Sequence, residues 1–353
     1  MNESNRGEIG REIEGVRMPR QEFIFTRHAE RTPEGDLTSD GLAVAQQKGQ
    51  ALSGAEVYKG YSSLEKSNRA YLTIQKKSEA AGVESLLKVE AINRASPDED
   101  SEVEKISPRY DTRKREGLFF DLTGPLETRI KSFTAIIDAA VKNDHPDYDP
   151  KDPKFSKIRA EYQYIGFHQM LADPELVHIF AMGMAAHLLR STEISNKYVD
   201  RRQKALENGE KDAKPIMNDI VIDTGTHSGL IECLLKKTMV RIDPQGGEKR
   251  GFEVTKDDSG KVTIDKNFEK IIGTNESIKT GYPVGEQTPE RLPVEFENDR
   301  FAGEACFIDM KEVRKLAAQF EVYREKLLKW KKDKTIETES EFMGQLEQLL
   351  KEY

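Results

Sequence analysis

The sequence predicts an α/β protein with a mainly parallel central sheet, helices on both faces of that sheet, a large helical insertion and a C-terminal helical extension. Short apolar runs of β-branched and aromatic residues alternate along the chain with segments of helical periodicity. Two of these runs lead directly into a loop that carries a histidine. Alternating strands and helices are typical of sheets that bind ligands beyond the carboxyl ends of their strands.

The first elements follow a polar, glycine-containing segment, residues 1–20, which we expect to be a mobile extension. The run "EFIFT" (22–26) predicts a buried strand. Either Thr38 or Ser39 can cap the helix that comes next, and Gly54 is a natural stop. Further predicted elements are a strand at 57–63, a helix from about 66 to 81 and a strand at 85–92.

A helical insertion separates the two halves of the predicted sheet. Residues 93–124 are charged and irregular, which is typical of a solvated loop or helix face. Residues 125–143 and 174–209 have helical periodicity. Because the insertion lies between the two histidine loops, we expect residues from about 93 to 218 to form a mostly helical cap over the mouth of the site.

The second half of the sheet begins with the run "DIVIDT" (219–224), which predicts another buried strand, and "GLIECLLKKTM" after it has the apolar face of a helix. Alternation on both sides of a DDSG turn predicts a hairpin over residues 251–265. The α/β domain is expected to span residues 21–310. Residues 311–353 form a charged amphipathic helical segment, predicted to pack on this domain or on a partner, including a second copy of the chain.

Composition narrows the function classes. The formal net charge of −8 argues against nucleic-acid binding, which needs a basic surface, although a local cluster of arginines can still bind an anion. Neither a secretory signal nor a membrane-spanning apolar run is recognisable, so we expect a cytoplasmic protein without a membrane partner. Cys233 and Cys306 lack metal-ligand spacing and are expected to be reduced thiols.

The candidate site lies where the two strands end in histidine loops. Arg27 and His28 follow the first strand, and His227 follows "DIVIDT". An arginine–histidine pair at a strand end is often only a surface feature, but two such loops at one sheet edge favour a site. A neutral imidazole can attack phosphorus if a backbone acceptor holds its other nitrogen. Arginines can stabilise the charge on the phosphoryl oxygens, and an acid must protonate the leaving oxygen.

Four motifs carry a resemblance to a known family: "TRHAE", "DLTSDGLAVAQQKGQAL", "SSLEKSNRAYLTI" with Arg69, and "THSG". Together they resemble the histidine phosphatase superfamily, which includes cofactor-dependent phosphoglycerate mutases and broad-specificity phosphatases. The resemblance covers residues 22–92 and 219–236. It implies that His28 is the nucleophile, that Arg27, Arg69 and His227 bind the phosphoryl group, and that neither a metal nor another cofactor is needed.

The proton donor is left open. No aspartate follows His227 directly, which disfavours the acid-phosphatase branch with its His-Asp pair. The other branch takes its donor from a glutamate between the second arginine and the second histidine. Glu90 and Glu116 are both candidates for this role.

The sequence thus favours a metal-independent phosphomonoesterase that hydrolyses a small phosphorylated substrate through a phosphohistidine. Two alternatives remain. One is phosphoryl transfer of the phosphoglycerate-mutase type, and the other is a catalytically weak family member that binds phosphorylated ligands or a protein partner. The remaining histidines lack metal-ligand spacing, and no P-loop or dinucleotide-binding motif precedes a helix.

Overall fold

The structure, a computed structural model, describes residues 12–13, 16–30, 32, 37–62, 69–82, 125–211, 213–226, 229–258, 260–266, 272–273, 276–298, 301, 303–333 and 348. Its strands are β1 (Glu12–Ile13), β2 (Val16–Arg17), β3 (Arg20–Arg27), β4 (Val57–Ser62), β5 (Ile220–Thr226), β6 (Met239–Ile242), β7 (Glu248–Arg250), β8 (Val254–Lys256), β9 (Val262–Ile264), β10 (Ser277–Pro283), β11 (Arg291–Phe296) and β12 (Ala305–Asp309). Its helices are α1 (Ser39–Gln50), α2 (Arg69–Ala81), α3 (Pro125–Asp144), α4 (Ser156–Glu161), α5 (Gln163–Leu171), α6 (Pro174–Glu207), α7 (Leu230–Thr238) and α8 (Met310–Asp333), with a 3-10 turn at Pro153–Phe155.

A central sheet organises the described part of the chain and confirms the predicted α/β class. Its strands follow the order β4-β5-β3-β10-β11-β12-β6-β7. Parallel pairing joins β4 to β5 and β5 to β3. From β3 onward each pairing is antiparallel. The parallel part expected from the sequence is therefore confined to the three strands that bear or adjoin the histidine loops, and an antiparallel half extends the same sheet.

Helices cover both faces of the sheet, as predicted. On one face α2 packs against β4 and β5, and α1 packs against α2. On the other face α6 packs against β3 and β5, and both α7 and α8 pack against α6. Side chains of β3 alternate between these layers: Phe23 and Phe25 belong to the core under α6, whereas Ile24 packs with Tyr58 and Val221 on the opposite face. Burial of each phenylalanine contributes about 1.5–3 kcal/mol.

Close packing of α2 depends on two glycines of the parallel strands. A Cβ atom at Gly60 of β4 would come within 2.4 Å of the Ile74 side chain, and one at Gly225 of β5 within 2.7 Å of it. Both distances are far shorter than carbon–carbon van der Waals contact. Glycine at these positions therefore lets α2 lie directly on the strands, with its first turn near the carboxyl end of β5.

The predicted insertion, residues 93–218, divides into parts with different positions. Residues 93–124 lie outside the described residues. The first half of α6, from Leu176 to Leu188, is buried in the main core against the sheet. This helix therefore supports the sheet face, which differs from the expectation of a cap over the site. Its sequence, "LVHIFAMGMAAHLL", is apolar on all sides, which is typical of a buried helix.

The predicted hairpin is confirmed, since β8 pairs with β9 in antiparallel register. The first part of the predicted C-terminal helical segment, 311–353, is present as α8, while residues 334–347 and 349–353 lie outside the described residues. Its buried face carries Val313, Leu316, Ala317 and Phe320, and it packs mainly on α6 of the same domain. Association of two chains through this segment stays a prediction. Among the described residues, no helix combines the length and the apolar character that crossing a membrane requires.

Candidate active site

The carboxyl ends of β3 and β5 lie side by side. In their parallel register Arg27 is opposite Thr226. The amide nitrogen of His28 donates to the carbonyl oxygen of Thr226 at 3.0 Å, so the contact continues one residue beyond β3. His227 itself lies outside the described residues. That His28 and His227 share one pocket therefore stays a prediction.

The imidazole of His28 is buried and held in one orientation. The side chain is 6% exposed, and its Nδ1 lies 2.8 Å from the carbonyl oxygen of Ala29. A carbonyl oxygen can only accept, so Nδ1 must carry the hydrogen of this bond. In the neutral ring, Nε2 then keeps its lone pair. This is the tautomer that a histidine nucleophile needs.

The backbone after His28 is anchored by neighbouring elements. The amide nitrogen of Ala29 donates to Thr73 Oγ1 of α2 at 3.0 Å. One residue later, the carbonyl oxygen of Glu30 accepts from the amide nitrogen of Thr38 at 2.9 Å. Thr38, one of the two caps that the sequence allowed, caps α1 through its side chain, which accepts from the amide nitrogen of Gly41. Residues 29 and 30 after the end of β3 and Thr38 at the start of α1 are therefore held in place by these bonds.

Arg27 is held from the side opposite α2. Its Nη1 donates to the carbonyl oxygen of Ile272 at 2.7 Å, and its amide nitrogen donates to the carbonyl oxygen of Glu276 at 3.0 Å. Both acceptors precede β10. Because β10 runs antiparallel to β3, its beginning meets the end of β3. These contacts fix the guanidinium of the residue that precedes His28.

Glu232 is a residue of this region that the sequence analysis missed. Its fully buried carboxylate accepts from the amide nitrogens of Gly229 and Ile272, each at 2.8 Å. Burial raises its pKa above the ordinary value of 4.5, while these hydrogen bonds and the charge of Arg27 act in the opposite direction. Glu232 therefore ties the turn after the second histidine loop to the segment that holds Arg27. The local signal was its place in the first turn of α7, a common position for a capping glutamate.

The backbone conformation at position 229, just before α7, favours glycine. Its φ of 87° lies in the left-handed region, and a Cβ atom would meet Met170 Cε of α5 at 2.2 Å. Helix α5 thus packs directly against the residue that follows the second histidine loop. Part of the predicted insertion therefore does reach this edge of the sheet.

An open cavity of about 740 Å³ includes Arg27 in its wall. The rest of its lining comes from α4, α5, the hairpin strand β9 and the residue before β9, Lys261. On α5, the rings of Tyr164 and His168 contact edge to face with 5.3 Å between centroids. The lining residues are Arg27, Ala160, Glu161, Gln163, Tyr164, His168, Lys261, Val262, Thr263 and Ile264.

For the other site residues predicted from the sequence, the structure gives a helix position for one and describes none of the remaining three. Arg69 is the first residue of α2, the helix that also supplies Thr73. Glu90, Glu116 and His227 lie outside the described residues, so the proton donor is not identified. Their roles stay predictions.

A buried polar cluster behind the site was also missed. Asp223 of β5 is fully buried and forms an ion pair with Lys77 of α2. The same carboxylate accepts from the hydroxyls of Tyr58 and Thr26, at 2.9 and 3.1 Å. Lys77 also donates to Thr26 Oγ1 at 3.0 Å, and burial lowers its pKa from 10.5 despite the charge of Asp223. The cluster joins β3, β4, β5 and α2 near the carboxyl ends of the strands.

Comparisons with known proteins give little beyond this. No protein-family model matches the chain, and no curated protein is similar to it. Among solved structures, a phytase from Klebsiella sp ASR1 is similar at 14% identity over 86% of this chain and 96% of that one, with a TM-score of 0.28. At that TM-score we draw no argument from the likeness.

Proposed function

We propose that this protein is a phosphomonoesterase that hydrolyses a small phosphorylated substrate through a phosphohistidine on His28. The observation that carries the proposal is the hydrogen bond from Nδ1 of His28 to the carbonyl oxygen of Ala29. It leaves Nε2 as the unprotonated nitrogen of the neutral ring for attack on phosphorus, and Arg27, the preceding residue, would bind the phosphoryl oxygens.

The reaction has two steps. In the first, Nε2 of His28 bonds to phosphorus while the bond from phosphorus to the ester oxygen breaks, and an acid protonates that oxygen. Glu90 and Glu116 are the candidate acids. In the second, the ionised acid takes a proton from water while the water oxygen bonds to phosphorus and the bond from phosphorus to Nε2 breaks, which releases inorganic phosphate and restores the neutral imidazole and the protonated acid. Arg27, together with Arg69 and His227, would stabilise the charge on the phosphoryl oxygens in both steps.

The cavity supports a small-molecule substrate. A volume of about 740 Å³ is that of a typical small-molecule site, which spans roughly 300–1,000 Å³. Its wall combines Arg27 with a second cation, Lys261, and with the aromatic pair of Tyr164 and His168. We propose that α4, α5 and β9 bind the alcohol part of the ester, which is the part released in the first step. The cap predicted over residues 93–218 would then consist, on this side of the site, of α4 and α5 together with β9.

The test is the phosphoenzyme together with turnover. The wild-type protein should hydrolyse a generic phosphomonoester such as p-nitrophenyl phosphate at the same rate with and without a chelator. A short incubation followed by quenching should trap an acid-labile, base-stable phosphoprotein. His28→Asn should abolish both signals, whereas His145→Asn, at the end of α3, should leave them unchanged.

The outcomes separate the three hypotheses. A phosphoenzyme whose phosphate passes to an added hydroxyl acceptor faster than to water would indicate a mutase-type transfer. Saturable binding of a phosphorylated ligand without turnover would indicate a binding protein. Turnover that persists in purified His28→Asn protein would contradict the proposed mechanism.

A further inference from the structure

Ala29 is held through both of its backbone polar groups, which belong to two successive peptide groups. Its carbonyl oxygen accepts from Nδ1 of His28 at 2.8 Å, and its amide nitrogen donates to Thr73 Oγ1 at 3.0 Å. Ala29 and Thr73 are both fully buried. Water therefore does not compete for either bond. The hydroxyl of Thr73 thus acts on the residue whose carbonyl fixes the His28 imidazole.

Thr73 stands on the face of α2 that is turned toward β3. Lys77, one turn further along the helix, is 1% exposed and donates to Thr26 Oγ1, two residues before His28. Residues four apart lie on the same side of an α-helix, so these two contacts form one attachment of α2 to the end of β3. Arg69 begins the same helix, four residues before Thr73.

We propose that Thr73 is a positioning residue for the nucleophile: its hydroxyl holds the peptide between His28 and Ala29, which fixes the torsions that join the imidazole to the Ala29 carbonyl and so keeps His28 in the Nδ1–H tautomer. The catalytic part of this inference rests on the proposed function, whereas the tautomer part does not. Without the hydroxyl, the Ala29 amide is buried with no acceptor, which costs about 1–3 kcal/mol. A change in ψ of His28 and φ of Ala29 that brings this amide to another acceptor also moves the Ala29 carbonyl away from Nδ1.

The test replaces the hydroxyl while it keeps the shape of the side chain. Thr73→Val has nearly the same volume and lacks the acceptor, and Thr73→Ser restores the acceptor with less packing. Ser78→Ala is the matched control, because the Ser78 hydroxyl on the same helix donates to the carbonyl oxygen of Ile74 at 2.9 Å and is hydrogen-bonded to Tyr58 rather than to the Ala29 backbone. Thermal unfolding of each variant reports its effect on folding.

The first readout is the tautomer of His28, measured by long-range ¹H–¹⁵N correlation on ¹⁵N-histidine-labelled protein and assigned with His28→Asn. We expect the Nδ1–H form in the wild type, in Thr73→Ser and in Ser78→Ala. We expect a large Nε2–H fraction in Thr73→Val. A purely structural role for Thr73 would lower stability without moving this signal.

The second readout is turnover. Loss of a group that orients a functional histidine commonly costs 10-fold to 100-fold in activity. We expect kcat of Thr73→Val to fall by this factor with KM nearly unchanged, and Thr73→Ser to recover most of the loss. If the wild type has no turnover, the proposed function fails and the tautomer result still decides the role of Thr73. An unchanged Nδ1–H signal in Thr73→Val would overturn the inference, and so would the same signal change in Ser78→Ala. If Thr73→Val does not fold, Thr73→Ser decides: because it keeps the hydroxyl, a change of its His28 tautomer would also overturn the inference.

Discussion

Removal of the Lys77 ammonium should destabilise the protein strongly, because it leaves a charged carboxylate buried beneath the site. Lys77 and Asp223 are 1% and 0% exposed. Truncation of one partner of such a buried pair typically costs about 3–5 kcal/mol. The hydroxyls of Tyr58 and Thr26 still donate to Asp223 in the variant, so we place Lys77→Met near the lower end, at about 3 kcal/mol.

A second substitution tests the reason for that loss. In Lys77→Met/Asp223→Asn the buried charge is gone, while the amide oxygen of the new residue can still accept from Tyr58. We expect the double variant to recover about half of the free energy of unfolding lost in Lys77→Met. Urea denaturation followed by fluorescence measures both values. A loss below about 1 kcal/mol in Lys77→Met, or a double variant no more stable than the single one, would refute the electrostatic explanation.

The stability difference between the wild type and Lys77→Met should depend on pH in a defined direction. Burial lowers the pKa of Lys77 in the folded protein below 10.5. Between the lowered value and 10.5 the unfolded chain binds the proton that the folded chain has released, so this residue makes the protein more stable as pH rises. Relative to Lys77→Met, the wild type should therefore gain stability across that alkaline range.

Three other predictions concern single residues. Arg27→Lys keeps the charge but loses the planar guanidinium, so we expect kcat/KM to fall about 100-fold in a p-nitrophenyl phosphate assay, and an unchanged value would contradict its role in the transition state. Lys261→Met should raise KM for an anionic ester several-fold with kcat unchanged, whereas Lys249→Met, on the exposed strand β7, should change neither. Burial lowers the pKa of His178 from 6.5 to about 4, so the unfolded chain binds the extra proton between these values. The wild type should thus lose about 2–3 kcal/mol between pH 7 and pH 4.5 that His178→Gln does not lose, as measured by urea denaturation at both pH values.

The elements around the site could be predicted because their signals are local. The run from Phe23 to Thr26 is buried without interruption, and Thr38 precedes a periodic segment that becomes α1. The antiparallel half of the sheet was largely missed, although its pattern is present. Ile278, Thr280 and Tyr282 alternate with more polar residues in β10, and Leu292 and Val294 do so in β11. The local pattern does not show which strands pair with each other in this half of the sheet, because pairing joins residues far apart in the chain.

The residues of the candidate site also differ in whether the sequence could reveal them. Arg27 and His28 could be found from the sequence because both follow directly from β3. Thr73 and Glu232 could not, because their roles depend on backbone groups at Ala29 and Ile272, which are remote in sequence. A threonine within a helix or a glutamate in its first turn has many ordinary explanations. Only the folded structure brings each of these two side chains into contact with a backbone group at the site.

The position of β3 in the sheet also has a consequence for the order in which the protein folds. Phe25 pairs with Thr224 on one side and with Ile278 on the other, so both neighbours of β3 are about 200 residues or more away in sequence. Closure of such long loops is slow, and pairing of this kind lowers the folding rate. A ribosome that has just released β3 must add more than half of the chain before either neighbour exists. Until β10 emerges, β3 has a free apolar edge, and chains arrested before that point should aggregate readily.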